Sequence, residues 1–68
     1  MVIALDYESQ IHYAMAFNFD VRIMTNELDV TVKVHYIDSL NKQIRAKDEN
    51  GVLYYINFDD ITNTEIMD

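Results

Sequence analysis

The sequence predicts an α+β domain in which one N-terminal helix is followed by a five-stranded antiparallel, strongly bent, barrel-like sheet. Three observations predict it. Apolar residues recur at helical spacing at Tyr7, Ile11, Ala14 and Met15, then alternate with polar ones from Phe19 onward. Two short turns, Ser39-Leu40-Asn41 and Glu49-Asn50-Gly51, cut the second half of the chain into strand-length runs. The hairpin registers that these turns dictate put most apolar residues of all three runs on one face, with Leu53 and Tyr55 on the other, and agreement between independent turns is a mark of a foldable pattern.

The helix is expected over about residues 6–17. Asp6 precedes Tyr7-Glu8 as a helix N-cap, with acids at the positive end of the helix dipole, and Asn18 can close the helix in the left-handed conformation. Residues 1–5 fit either a short strand or a lead-in. A first strand is expected at about 19–24, and a turn around Thr25-Asn26-Glu27-Leu28 lets Ile23 face Val30, Val21 face Val32 and Phe19 face Val34.

Strands at about 29–38, 42–48 and 52–58 form a meander. With Ser39-Leu40-Asn41 as a three-residue loop and Asn41 as its left-handed residue, Val34 pairs with Ala46, Tyr36 with Ile44 and Asp38 with Lys42. At the next turn a two-residue loop would mix polar and apolar side chains on both faces. A three-residue loop with Gly51 left-handed pairs Ile44 with Ile56, Ala46 with Tyr54 and Asp48 with Val52. The expected core face is therefore Val30, Val32, Val34, Tyr36, Ile44, Ala46, Tyr54, Ile56 and Phe58. After Phe58, Asp59 and Asp60 are expected to cap a single helical turn, and a last strand follows at about 62–66. A helix followed by five bent antiparallel strands is the layout of small SH3-like or Sm-like barrels.

Sixty-eight residues make one domain. A chain of this length buries only about 60% of its unfolded surface, so a partner or self-association is the available route to extra burial. It has no cysteine, which excludes disulfide staples and thiolate metal sites and suits a cytoplasmic protein. The opening Met-Val-Ile-Ala-Leu run ends at Asp6, too short for a membrane span and without the basic lead of a signal peptide.

The net charge of −7 is unevenly spread. Residues 1–47 hold six acids and five bases, whereas residues 48–68 hold six acids and no base. Such a balance opposes attraction to phosphate backbones and anionic membranes, and ranks direct nucleic-acid binding below protein binding.

Two stretches carry a family resemblance. Tyr36-Ile37-Asp38 with Asn41-Lys42-Gln43-Ile44, and Ile56-Asn57-Phe58-Asp59-Asp60-Ile61 downstream, resemble the YolD-like family of small Firmicutes and phage proteins, over about residues 9–66. The resemblance implies a non-enzymatic accessory protein encoded by a phage or other mobile element. It also implies a link to DNA-damage tolerance, because family members often lie near translesion polymerase genes. A fainter likeness, to Sm proteins, rests on Asp38 and Asn41 in one turn; these stand one residue too close, and no arginine-glycine motif follows.

No catalytic or cofactor-binding set is expected. The two histidines, His12 and His35, fall on different elements, and neither has a neighbouring nucleophile in sequence. Two surfaces remain. Asp48, Glu49, Asp59, Asp60, Glu65 and Asp68 form an acidic third suited to docking on a basic, nucleic-acid-handling protein, in the manner of an inhibitor that mimics DNA phosphates. The alternative is the outer sheet face, where Lys33, His35, Arg45, Lys47 and Tyr55, with Arg22 beside them, offer cations and a ring to a nucleic acid or nucleotide.

Overall fold

The computed structural model describes residues 6–67. The expectation for residues 1–5, and the candidate Asp68, lie outside them. One helix, α1 (Tyr7–Ala16), precedes strands β1 (Asp20–Thr25), β2 (Asp29–Asp38), β3 (Gln43–Lys47), β4 (Leu53–Asn57) and β5 (Ile61–Met67). A 3-10 turn at Phe58–Asp60 joins the last two strands. The strands form one antiparallel sheet in the order β4-β3-β2-β1-β5, so β4 and β5 are its edges.

Local chemistry sets the helix ends as expected. The Asp6 carboxylate accepts the Ser9 N–H at 2.7 Å, satisfying an otherwise orphaned helix donor. Asn18 takes the left-handed conformation (φ 60°) after the helix. Ile11 and Ala14 turn inward and join Val21, Ile23, Val32, Val34, Ile44, Ala46, Ile56 and Ile61 in one buried core. The sheet thus bends around a single core with α1 packed on its inner side.

Both outer hairpins obey the parity expected of them. Val21 pairs with Val32 and Ile23 with Val30. Ile44 pairs with Ile56 and Ala46 with Tyr54, across a loop in which Gly51 is left-handed (φ 82°). The Asp48 side chain shapes that loop by accepting the Asn50 and Val52 N–H groups, each at 2.9 Å. Phe19 does not pair with Val34. It precedes β1 and donates its N–H to the Ala14 carbonyl, finishing the helix instead of starting the strand.

The β2–β3 hairpin departs from expectation in a way that rebuilds the outer face. Val34 pairs with Ala46, but Tyr36 pairs with Arg45, Ile37 with Ile44 and Asp38 with Gln43. His35 is the extra residue of a β-bulge. The loop is therefore four residues, Ser39 to Lys42, and its left-handed residue is Lys42 (φ 55°) rather than Asn41. The cause is Asp38, whose carboxylate holds both the backbone N–H (3.1 Å) and the side-chain amide (2.8 Å) of Asn41. That grip delays the reversal by one residue. Without the bulge the shift would turn Val34, Ala46 and their neighbours outward. With it, Ile37 packs against the core and Tyr36 points outward, 52% exposed.

Candidate functional site

Each outward row of the sheet follows from the register. Lys33, Lys47 and Leu53 lie side by side across β2, β3 and β4; one step along, so do Tyr36, Arg45 and Tyr55. The Arg45 guanidinium carbon stands 5.1 Å from the Tyr36 ring centroid and 5.6 Å from that of Tyr55, a cation held between two rings. Tyr36 was missing from the face read in the sequence, because simple alternation gave it to the core. Its sequence signal is present in Asp38 and Asn41, a turn-forming pair that sets the loop length.

Pairing removes much of the expected basic character. Arg22 binds Asp29 through two hydrogen bonds, Nε to Oδ1 at 2.8 Å and Nη2 to Oδ2 at 2.6 Å, and lies 3.9 Å from Glu65. These bonds raise the Arg22 pKa above its ordinary value and lower that of Asp29. Lys33 lies 3.8 Å from Asp20, and Lys42 3.7 Å from Glu8. Among the described residues Arg45 and Lys47 have no carboxylate within ion-pair distance. The cleft beside Lys33, His35 and Lys47 is also lined by Asp20, Asp48 and Glu49, so it presents no excess of positive charge to a phosphate.

The acidic candidates do not assemble into one surface. Asp48 and Glu49 stand before β4 and Asp59 and Asp60 after it, separated by a five-residue strand of roughly 16 Å. Asp48 is engaged in its hairpin loop, and Glu65 faces Arg22 from β5. The expected capping by Asp59 and Asp60 is absent: both lie inside the 3-10 turn, which starts at Phe58 after Asn57, and no side chain caps it. Their carboxylates are exposed and without a cation within reach among the described residues.

A residue distant in sequence joins Asp60. Glu27, in the β1–β2 turn, lines a groove with Leu28, Tyr55, Ile56 and Asp60 along the open side of β4. The Thr25 hydroxyl accepts the N–H groups of Glu27 (3.2 Å) and Leu28 (3.0 Å) and fixes this wall. Glu27 has no ion-pair partner among the described residues. A charge count by chain segment hides it, because it stands far from the acidic third.

Elsewhere, Tyr13, Phe17 and Phe19 form a surface ring cluster at the end of α1, with centroids 4.7 to 6.2 Å apart. His12 is exposed on α1, 3.9 Å from Glu8, and His35 is exposed in the bulge, so the two histidines are not brought together. No group of three His, Cys, Asp or Glu among the described residues is placed to hold a metal ion. No helix among them is long and apolar enough to cross a membrane.

Comparison of the chain with protein-family models, curated proteins and solved structures finds no match. The motif residues that carry the YolD-like resemblance have structural roles here. Asp38 and Asn41 build the β2–β3 loop, Ile37, Ile44, Ile56 and Ile61 pack in or against the core, and Phe58–Asp60 turns the chain between the edge strands.

Proposed function

We propose that this chain is a non-catalytic protein-binding module, an accessory or inhibitory protein of a nucleic-acid-handling partner. It engages basic groups of that partner with Glu27, Asp59 and Asp60 at the groove beside β4. The observation that supports this reading is the partition of charge: among the described residues most other acids are engaged within the fold, whereas these three are left exposed, Glu27 and Asp60 lining a groove with Leu28, Tyr55 and Ile56 and Asp59 standing next to Asp60 in the chain. Carboxylates rimming an apolar floor are suited to a basic partner, with the apolar contact supplying affinity and the rim supplying steering and selection. A phage or mobile-element origin and a role beside a translesion polymerase remain the particular forms of this reading that the resemblance suggests.

The test is affinity capture from a lysate of the source cells, comparing wild type with Glu27→Gln, Asp59→Asn, Asp60→Asn combined. Capture of a basic, nucleic-acid-handling protein that weakens with salt and is lost in the variant supports the reading. Equal retention by the folded variant overturns it.

A further inference from the structure

The groove lies beside an edge strand, β4, which has no second partner strand among the described residues. Edge strands in soluble proteins are commonly blunted by a charged side chain, a proline or a bulge, because their unpaired backbone groups invite another strand. The five residues of β4, Leu53-Tyr54-Tyr55-Ile56-Asn57, have none of these. The other edge, β5, carries Glu65 and a register irregularity against β1.

Hydrogen-bond phase says which groups of β4 are open. Asp48 donates its N–H to the Val52 carbonyl at 3.1 Å, and Phe58 donates to the Lys42 carbonyl at 2.8 Å. Both pairs keep the parity that also pairs Ile44 with Ile56, so Tyr54 and Ile56 spend their backbone groups on β3. The alternating residues Leu53, Tyr55 and Asn57 then aim their N–H and C=O groups away from β3, and Tyr55 among them lines the groove with Glu27 and Asp60.

We propose that the partner engages this site by strand addition: an extended basic segment pairs with the open edge of β4 and sets its lysines or arginines against Glu27 and Asp60. This rests on the protein-binding reading above and names its occupant and mode. Main-chain hydrogen bonds to Leu53, Tyr55 and Asn57 supply the register, and the alternate side chains of the added strand supply the choice of partner. The sign of its charge follows from the rim, where both carboxylates lack a cation of their own among the described residues.

The test uses the whole chain and an alternating Lys-Val octapeptide as probe, with binding followed by NMR and amide hydrogen exchange at low salt. The proposal expects at least tenfold slower exchange at the amides of Leu53, Tyr55 and Asn57 in the complex. It also expects binding to weaken severalfold in Glu27→Gln with Asp60→Asn. Methylating alternate backbone nitrogens of the peptide should abolish binding. Leu53→Pro, which removes an outward N–H at the first residue of an edge strand and no bond to β3, should weaken it without unfolding the sheet.

No binding, equal binding of the methylated peptide or of a Glu-Val analogue, or pairing of β4 with a second copy of the chain would each overturn strand addition. Binding that depends on Glu27 and Asp60 but leaves the β4 amides unprotected overturns strand addition alone and keeps the acidic docking site. Binding indifferent to those acids removes both.

Discussion

The bulge at His35 makes opposite demands on adjacent residues, and substituting each of them tests it. Simple alternation from Val34 buries Tyr36 and exposes Ile37; the bulged register does the reverse. Threonine is a fair replacement at either position, since it keeps β-propensity while removing the large apolar group. Fully buried Ile→Ala changes cost about 2–5 kcal/mol, and Ile37 is half-buried against the core, so Ile37→Thr should cost about 2 kcal/mol. Tyr36 is 52% exposed, and its main partner is the Arg45 cation, a contact worth about 0.5–1 kcal/mol at an exposed site. Tyr36→Thr should therefore lose about 1 kcal/mol or less. For a domain of this size 1 kcal/mol moves the melting midpoint by roughly 4–8 °C. Thermal unfolding followed by circular dichroism should show Ile37→Thr melting about 8–16 °C below wild type, with Tyr36→Thr clearly above it. If Tyr36→Thr is the more damaging change, Tyr36 is in the core and the bulge is wrong.

Three further outcomes are expected. Gly51→Ala should cost about 1 kcal/mol in urea unfolding, and the cost is backbone strain alone, because an added Cβ would meet nothing within 4 Å at φ 82°. Asp59→Asn with Asp60→Asn should change stability by less than about 0.5 kcal/mol, since neither side chain caps the 3-10 turn; a larger loss would restore the capping role. Acid should weaken the fold through Asp6, Asp29 and Asp38, whose carboxyls are held below the usual 3.8 by hydrogen bonds from Ser9, Arg22 and Asn41 respectively. Folded values below unfolded ones mean a contribution that is full above pH 3.8 and fades as pH falls through the lower values. Asp6→Asn, Asp29→Asn and Asp38→Asn combined should flatten stability against pH in that window, and an unchanged slope would contradict these hydrogen bonds.

Element order, helix cap and two hairpin registers were legible because local chemistry decides them. Asp6 and Asn18 act on their own backbone neighbourhood, and Gly51 is the one residue in its loop that reaches the left-handed region without strain. The β2–β3 hairpin was not legible by the same arithmetic. Asn41 is the residue type expected in the left-handed position, yet its backbone and side chain are already held by Asp38, and the strain moves to Lys42. A loop one residue longer slips the register by one, and only a compensating bulge keeps Val34 and Ile37 on the same side. Parity counts both turns and residues; it cannot see a bulge, which enters as a response to burial farther along the strand.

The candidate site failed to show in the sequence for a different reason. Charge is additive along a chain, whereas availability is decided by pairing in space. Asp29 is consumed by Arg22, and Glu65 from the acidic last third faces the same guanidinium. Asp48 serves its own loop. Among the described residues Glu27 from one hairpin, Asp59 and Asp60 from another turn, and Glu49 are left over, and Glu27 and Asp60 meet because Ile61, next to Asp60, pairs with Thr25 at the start of the β1–β2 turn. By crossing to β1, β5 also leaves β4 without a second partner strand. An acidic rim and an open strand edge thus arise from one geometric cause, and for that reason binding at the groove should respond together to loss of the carboxylates and to blocking of the β4 amides.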